Sequence, residues 1–139
     1  MSNSSTSLIV LFGRILLSIV FILSGITKIT SFSMEQGYAV SRHLPLPAVA
    51  VVVALVIEIL GGLAILTGFF ARLAAWIVFL YLIPTTFLFH NFWAMSGTDR
   101  YDNMAHFEKN LAIMGGLLVL AAVGSGAYSI DAAQAPKAT

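Results

Sequence analysis

Four runs of about twenty mostly apolar residues, two of them with charge set inside, constrain this chain more than any other feature. The runs cover roughly residues 8–29, 48–70, 73–92 and 107–127. The first carries Arg14, Ser18, Gly25 and Lys28 at helical spacing, and the second carries Glu58 near its middle. Each run is long enough to cross a hydrocarbon core. Backbone polar groups cannot stay unpaired there, so spanning segments are helices or closed barrels. These runs are too long and too poorly alternating for barrel strands. The predicted fold is therefore all-α, an integral-membrane four-helix bundle, and the length of 139 residues suits a single domain over 1–139. Charge inside such segments is costly and rarely faces lipid, so the bundle has a polar interior.

Composition agrees. Hydrophobic residues make up 59% of the chain and charged ones 9%, with mean hydropathy +0.95, too little charge to cover a soluble domain. A net charge of +1 argues against a nucleic-acid partner. There is no cysteine, which removes disulfides, thiol nucleophiles, iron–sulfur ligation and thiolate zinc sites. The first seven residues are polar and carry no Lys or Arg, so the first run reads as a retained helix and not as a signal peptide.

Between the first two runs, Ser33 followed by Gln36 has the spacing of a capping box. It predicts a short interfacial helix from about Met34 to His43, with Met34, Tyr38 and Leu44 toward lipid and Glu35 and Arg42 toward water. Pro45 and Pro47 end it, and Pro47 suits the first turn of the next helix. Gly68 to Arg72 leaves almost no loop, so the second and third spans form an antiparallel hairpin. Residues 93–106 read as a polar loop, and the tail after Tyr128 as a fraying end. One face carries Lys28, Arg42, Arg100 and Lys109 and the other Arg14, Arg72 and Lys137. That difference of one basic residue favours a cytoplasmic loop face.

On the first helix Arg14, Ser18, Phe21, Gly25 and Lys28 fall in a stripe about 80° wide, which should face the other helices. Taken alone, Arg14 or Lys28 would more simply snorkel to headgroups. Glu58 has apolar residues on both sides, so it must be protonated, paired with a cation or open to a water-filled cavity. Gly61 and Gly62 beside it allow close helix approach, and Gly115-Gly116 suggests tight packing in the fourth helix. His90 and His106 flank one loop. Two histidines on different helices can ligate haem or a metal, but interfacial capping is the simpler reading. Trp76, Trp93, Tyr81 and Tyr101 fit interface anchors or packing. No C-x-x-C-H, H-E-x-x-H or glycine-rich nucleotide loop occurs, and neither an intrinsic cofactor nor a metal site is expected.

Together these residues resemble the DoxX family of small bacterial membrane proteins. The resemblance rests on Gly13-Arg14, on Ser24-Gly25-Ile26-Thr27-Lys28, on Glu58-Ile59-Leu60-Gly61-Gly62 and on Gly68-Phe69-Phe70-Ala71-Arg72. It continues through Phe89-His90-Asn91-Phe92-Trp93, His106-Phe107-Glu108-Lys109-Asn110-Leu111 and the closing Gly124-Ser125-Gly126-Ala127-Tyr128-Ser129-Ile130-Asp131. The set runs in order through nearly the whole chain. The resemblance implies a multi-pass protein of the bacterial inner membrane associated with redox systems. The cysteine-pair chemistry of wider relatives cannot apply to a chain without cysteine.

The reading that follows is a small inner-membrane subunit associated with a redox system, offering a quinone or lipid-like ligand a site between its helices. Arg14, Lys28, Glu58, His90, Asn91 and Lys109 are the candidate ligand-binding residues. Any enzymatic role would be that of an oxidoreductase subunit and not of a self-contained enzyme. The alternative is a non-enzymatic membrane scaffold or small-molecule carrier. Membrane lipid is the expected surrounding, redox proteins are candidate partners, and a homo-oligomer stays open.

Overall fold

A computed structural model describes residues 4–135. Its elements are α1 (Ser4–Thr30), α2 (Phe32–Ser41), α3 (Pro47–Thr67), α4 (Ala71–Phe89), a 3₁₀ turn (Phe92–Ala94), α5 (Gly97–Val123) and α6 (Ile130–Gln134). Among the described residues there is no strand, and four helical segments are long and apolar enough to cross a membrane. The fold is an all-α membrane bundle, as expected.

The helices follow one another around the bundle. α1 packs on α3, α3 on α4, α4 on α5, and α5 closes back on α1. The inner faces of α1, α3, α4 and α5 supply the buried core, with Phe21, Ile65, Val78, Leu82, Leu117 and Leu120 at its centre. The outer faces are apolar too, with Phe12, Leu16, Leu60, Leu73, Leu80 and Val119 exposed, as helices bathed in lipid require. The α1–α3 contact is close because glycine lies on both sides of it. A β-carbon at Gly25 would sit 2.6 Å from Ile59 Cδ1, and one at Gly62 would sit 2.8 Å from Ile22 Cγ1.

The predicted stripe does face inward: Arg14, Ser18, Phe21 and Gly25 are buried. The α3–α4 hairpin turns through Gly68 and Phe70, both left-handed (φ 70° and 46°). At that end of the bundle three charged side chains close the helix termini. Arg14, only 2% exposed, donates from Nε to Ile65 O (3.0 Å) and from Nη2 to Leu66 O (2.9 Å), the last turn of α3. Its Nη1 donates to Tyr128 O (2.9 Å) and to Ser125 O in the chain after α5. Arg72 Nη1 donates to Ala121 O (2.8 Å) and Ala122 O (2.7 Å), the end of α5. Asp131 accepts from Phe70 N (2.8 Å) and Ala71 N (3.2 Å), the start of α4. Cations sit at helix C-termini and the anion at an N-terminus, the favourable sense of the helix dipole.

Several expectations need correcting. Arg14 does not snorkel, because four backbone carbonyls hold it inside the protein. The tail past Tyr128 does not fray as far as Ala135. Asp131 pins it, and Ser129 caps α6 by accepting from Ala132 N at 3.1 Å. Residues 136–139, with Lys137, lie outside the described residues. No side-chain capping box opens α2: the helix begins at Phe32, so Ser33 is already inside its first turn, and the N-cap residue is Ser31. Residues 97–106 are not a loop but the first turns of α5, a polar extension beyond the apolar run. Of the glycine pair in α5 only Gly116 packs, against Leu17, while a β-carbon at Gly115 would meet nothing within 4 Å.

Candidate functional site

The opposite half of the bundle, toward α2, encloses a cavity of about 670 Å³. All four spanning helices and α2 contribute walls. The shape follows from the sequence. Small residues, Ala50 and Ala54 on α3 and Ala39 on α2, leave room where leucines would have filled the space. Pro84 on the α4 wall has no N–H for the carbonyl four residues back, so the helix ladder is interrupted beside the cavity. Val20 on α1, Val49 and Val53 on α3, and Pro84 and Leu88 on α4 line the cavity and are also exposed, so its wall reaches the lipid-facing surface.

At its inner end lies Glu58, the twelfth residue of α3 and 5% exposed. Its Oε2 stands 3.0 Å from Lys28 Nζ, and its Oε1 accepts from the Tyr81 hydroxyl at 2.8 Å. Lys28 also donates to Ser24 Oγ (3.1 Å), one turn back on α1. Three helices thus meet in one polar cluster, α1 supplying the ammonium, α3 the carboxylate and α4 the phenol. This answers the question that the sequence poses about Glu58: it is paired with a cation, its Oε1 accepting a hydrogen bond from Tyr81 and its Oε2 meeting Lys28 as an ion pair without a hydrogen bond. Asn110 of α5 borders the same cavity, is buried, and donates from Nδ2 to Thr86 Oγ1 at 3.1 Å.

Toward the loop face the wall continues through Glu35, Tyr38, His90 and Lys109. Asn103 donates from Nδ2 to Asp99 O (2.9 Å), which turns its Oδ1 toward His90 Nδ1 (3.1 Å). His90 Nδ1 is therefore the donor in that pair. The ammonium of Lys109 lies 2.9 Å from His106 Nδ1, which must accept, placing the His106 proton on Nε2. The two imidazoles stack, with centroids 5.1 Å apart and planes at 19°. Stacked rings do not aim their nitrogens at a point between them, so the pair lacks the geometry of axial haem ligands. Among the described residues no group of three or more His, Asp or Glu could hold a metal ion.

Of the six candidate residues, Lys28, Glu58, His90 and Lys109 line the cavity. Arg14 lies at the far end of the bundle and is committed to backbone carbonyls. Asn91 stands just outside the wall, where its Oδ1 accepts from Arg42 Nη1 at 2.8 Å. Arg42 also donates to the Tyr38 hydroxyl (3.1 Å), which in turn donates to Phe89 O (3.1 Å). These bonds tie α2 to the end of α4. They also correct the expected facing of α2: Glu35 and Leu44 turn to the cavity, and Arg42 is spent on the protein. Sequence reading missed Tyr81, Asn110 and Glu35. Tyr81 lies 23 residues from Glu58, and nothing local marks a tyrosine in an apolar run as a carboxylate's partner.

A family model described as DoxX matches residues 9–91. Among curated proteins, the inner membrane protein YphA of Escherichia coli K12 is 35% identical over 129 residues, covering 93% of this chain and 92% of YphA. The inner membrane protein YqjF of the same organism is 42% identical over 122 residues, covering 88% of each chain. No solved structure matches the chain.

Proposed function

We propose a function from the premise that this chain belongs to the DoxX family and is a multi-pass inner-membrane protein: it holds an amphipathic ligand of the quinone or lipid-like class between its helices and presents it to a redox partner. The observation that carries this reading is the cavity itself. It has the size of a small-molecule site, its wall reaches the lipid-facing surface, and it ends inside at a Lys28–Glu58–Tyr81 cluster. An apolar tail fits the valine and leucine walls, and a polar head fits the cluster. A quinone, where bound, would supply the electron chemistry. The chain's own residues would bind, orient and shield it.

The scaffold alternative expects polar groups to serve the fold. Arg14, Arg72 and Asp131 do so at the far end. On the loop side the polar groups instead line open space, which favours a ligand. The test is binding of a decyl-chain benzoquinone to the full chain in phosphatidylcholine nanodiscs, read as excess over empty nanodiscs. Saturable uptake near one per chain, abolished by the cavity-filling Ala54→Phe, is expected. Uptake no greater than in empty nanodiscs would overturn the reading.

A further inference from the structure

The inner end of the cavity has a hydrogen-bonding inventory that distinguishes one class of head group from another. An ammonium carries three N–H donors. One of those of Lys28 meets Ser24 Oγ at 3.1 Å, and the ammonium faces Glu58 Oε2 at 3.0 Å as an ion pair without a hydrogen bond to it, so Lys28 keeps donor capacity for the cavity that it borders. The Tyr81 hydroxyl gives its only proton to Glu58 Oε1 at 2.8 Å, so toward any other group its oxygen can only accept. The buried Asn110 gives one of its two Nδ2 protons to Thr86 and keeps the other, and its Oδ1 has no donor among the described residues. The site therefore offers donors on Lys28 and Asn110 and acceptors on Tyr81 and Asn110.

A carbonyl or a phosphate offers acceptors only. Either could accept from Lys28 and Asn110 but would leave the oxygens of Tyr81 and Asn110 without a donor. An anionic phosphate would also face the carboxylate of Glu58. A hydroxyl satisfies both sides, accepting from Lys28 and donating to Tyr81. Buried polar groups left unpaired are costly, so such a site discriminates by hydrogen-bond count.

Building on the ligand-binding reading above, we infer that this cavity selects a hydroxyl-bearing head group on an apolar tail, a phenol or an alcohol, over a head that only accepts. For a quinone couple the bound form is the reduced one. One extra satisfied hydrogen bond is worth roughly tenfold in affinity.

The test uses three probes with the same decyl tail: a benzoquinone, its hydroquinone under anaerobic conditions, and an alkyl phosphate. Each is titrated against the full chain in phosphatidylcholine nanodiscs. The hydroquinone is expected to bind about tenfold tighter than the quinone, and the phosphate weakest of the three. In Lys28→Met/Glu58→Leu/Tyr81→Phe the preference should vanish while the cavity remains. Equal affinity of wild type for quinone and hydroquinone would overturn this inference and leave the ligand-binding reading intact. Tighter binding of quinone or phosphate would do the same. A preference that persists in a folded triple variant would also overturn it. Binding of none of the three would overturn the ligand-binding reading with it. The wild-type ratio alone decides even if the triple variant fails to fold.

Discussion

Removing Lys28 should destabilise the protein more than removing Glu58, and removing both should destabilise it least. The two groups are 3.0 Å apart, with side chains 14% and 6% exposed. At an effective dielectric of about 20 their attraction is worth roughly 5.5 kcal/mol, which bounds the coupling from above. The single variants differ in what they strand. Lys28→Met leaves a carboxylate eleven residues inside α3, about 16 Å along the helix from its start, at a cost on the order of 3–5 kcal/mol. Glu58→Leu leaves an ammonium two residues from the end of α1, free to bend to the loop-side water, at about 1–2 kcal/mol. Carried, like the singles, in a Tyr81→Phe background, so that no hydroxyl is stranded, the double variant replaces a buried ion pair by apolar groups of similar volume and should return to within about 1 kcal/mol of that background. Unfolding free energies from sodium dodecyl sulfate titration in mixed micelles, arranged as a double-mutant cycle, measure this. Losses that simply add, within about 0.5 kcal/mol, would refute the reasoning, because the two side chains would then not be coupled.

Arg14→Met should cost about 3–5 kcal/mol in the same titration, since four carbonyls lose their donor, and Arg14→Lys should recover only part because one ammonium cannot span both chain segments. Gly25→Leu should overpack the α1–α3 contact and lower stability by about 1–3 kcal/mol, while Gly115→Ala, with open space around it, should be neutral or stabilising by up to about 1 kcal/mol in thermal melts. Reporter fusions at residues 1 and 139 should report the same side of the membrane, as four crossings require; opposite sides would refute the four-span topology.

The four spans were legible because lipid imposes one demand, apolar length, that sequence displays directly. The inward stripe of α1 was legible because charge within an apolar helix can face only one way. The start of α5 was not: its first turns, Asp99 to His106, are polar helix outside the apolar run, and hydropathy does not separate that from a loop. Nor were the partners of Arg14, because they are backbone carbonyls and no residue type marks them. Glu58 was identifiable as a carboxylate inside an apolar helix, but whether it was neutral, paired or open to water was not, nor which cation would meet it. Tyr81 completed the cluster only once α4 was seen to turn that face inward. Glu35 and Arg42, both expected to face water, instead meet the cavity and the end of α4, because α2 is drawn onto α4 by the Tyr38–Phe89 and Arg42–Asn91 bonds, which are set by tertiary packing and not by helical period.

The central claim is that the loop-side cavity holds a small amphipathic molecule. The most direct measurement is mass spectrometry of the lipids and small molecules retained by the full chain purified from bacterial inner membrane, wild type beside Ala54→Phe. The account predicts one class of apolar-tailed, hydroxyl- or quinone-headed molecule retained near one per chain by wild type and lost from the cavity-filled variant. The same molecules in the same amounts from both proteins, or only bulk membrane lipid from wild type, would contradict it.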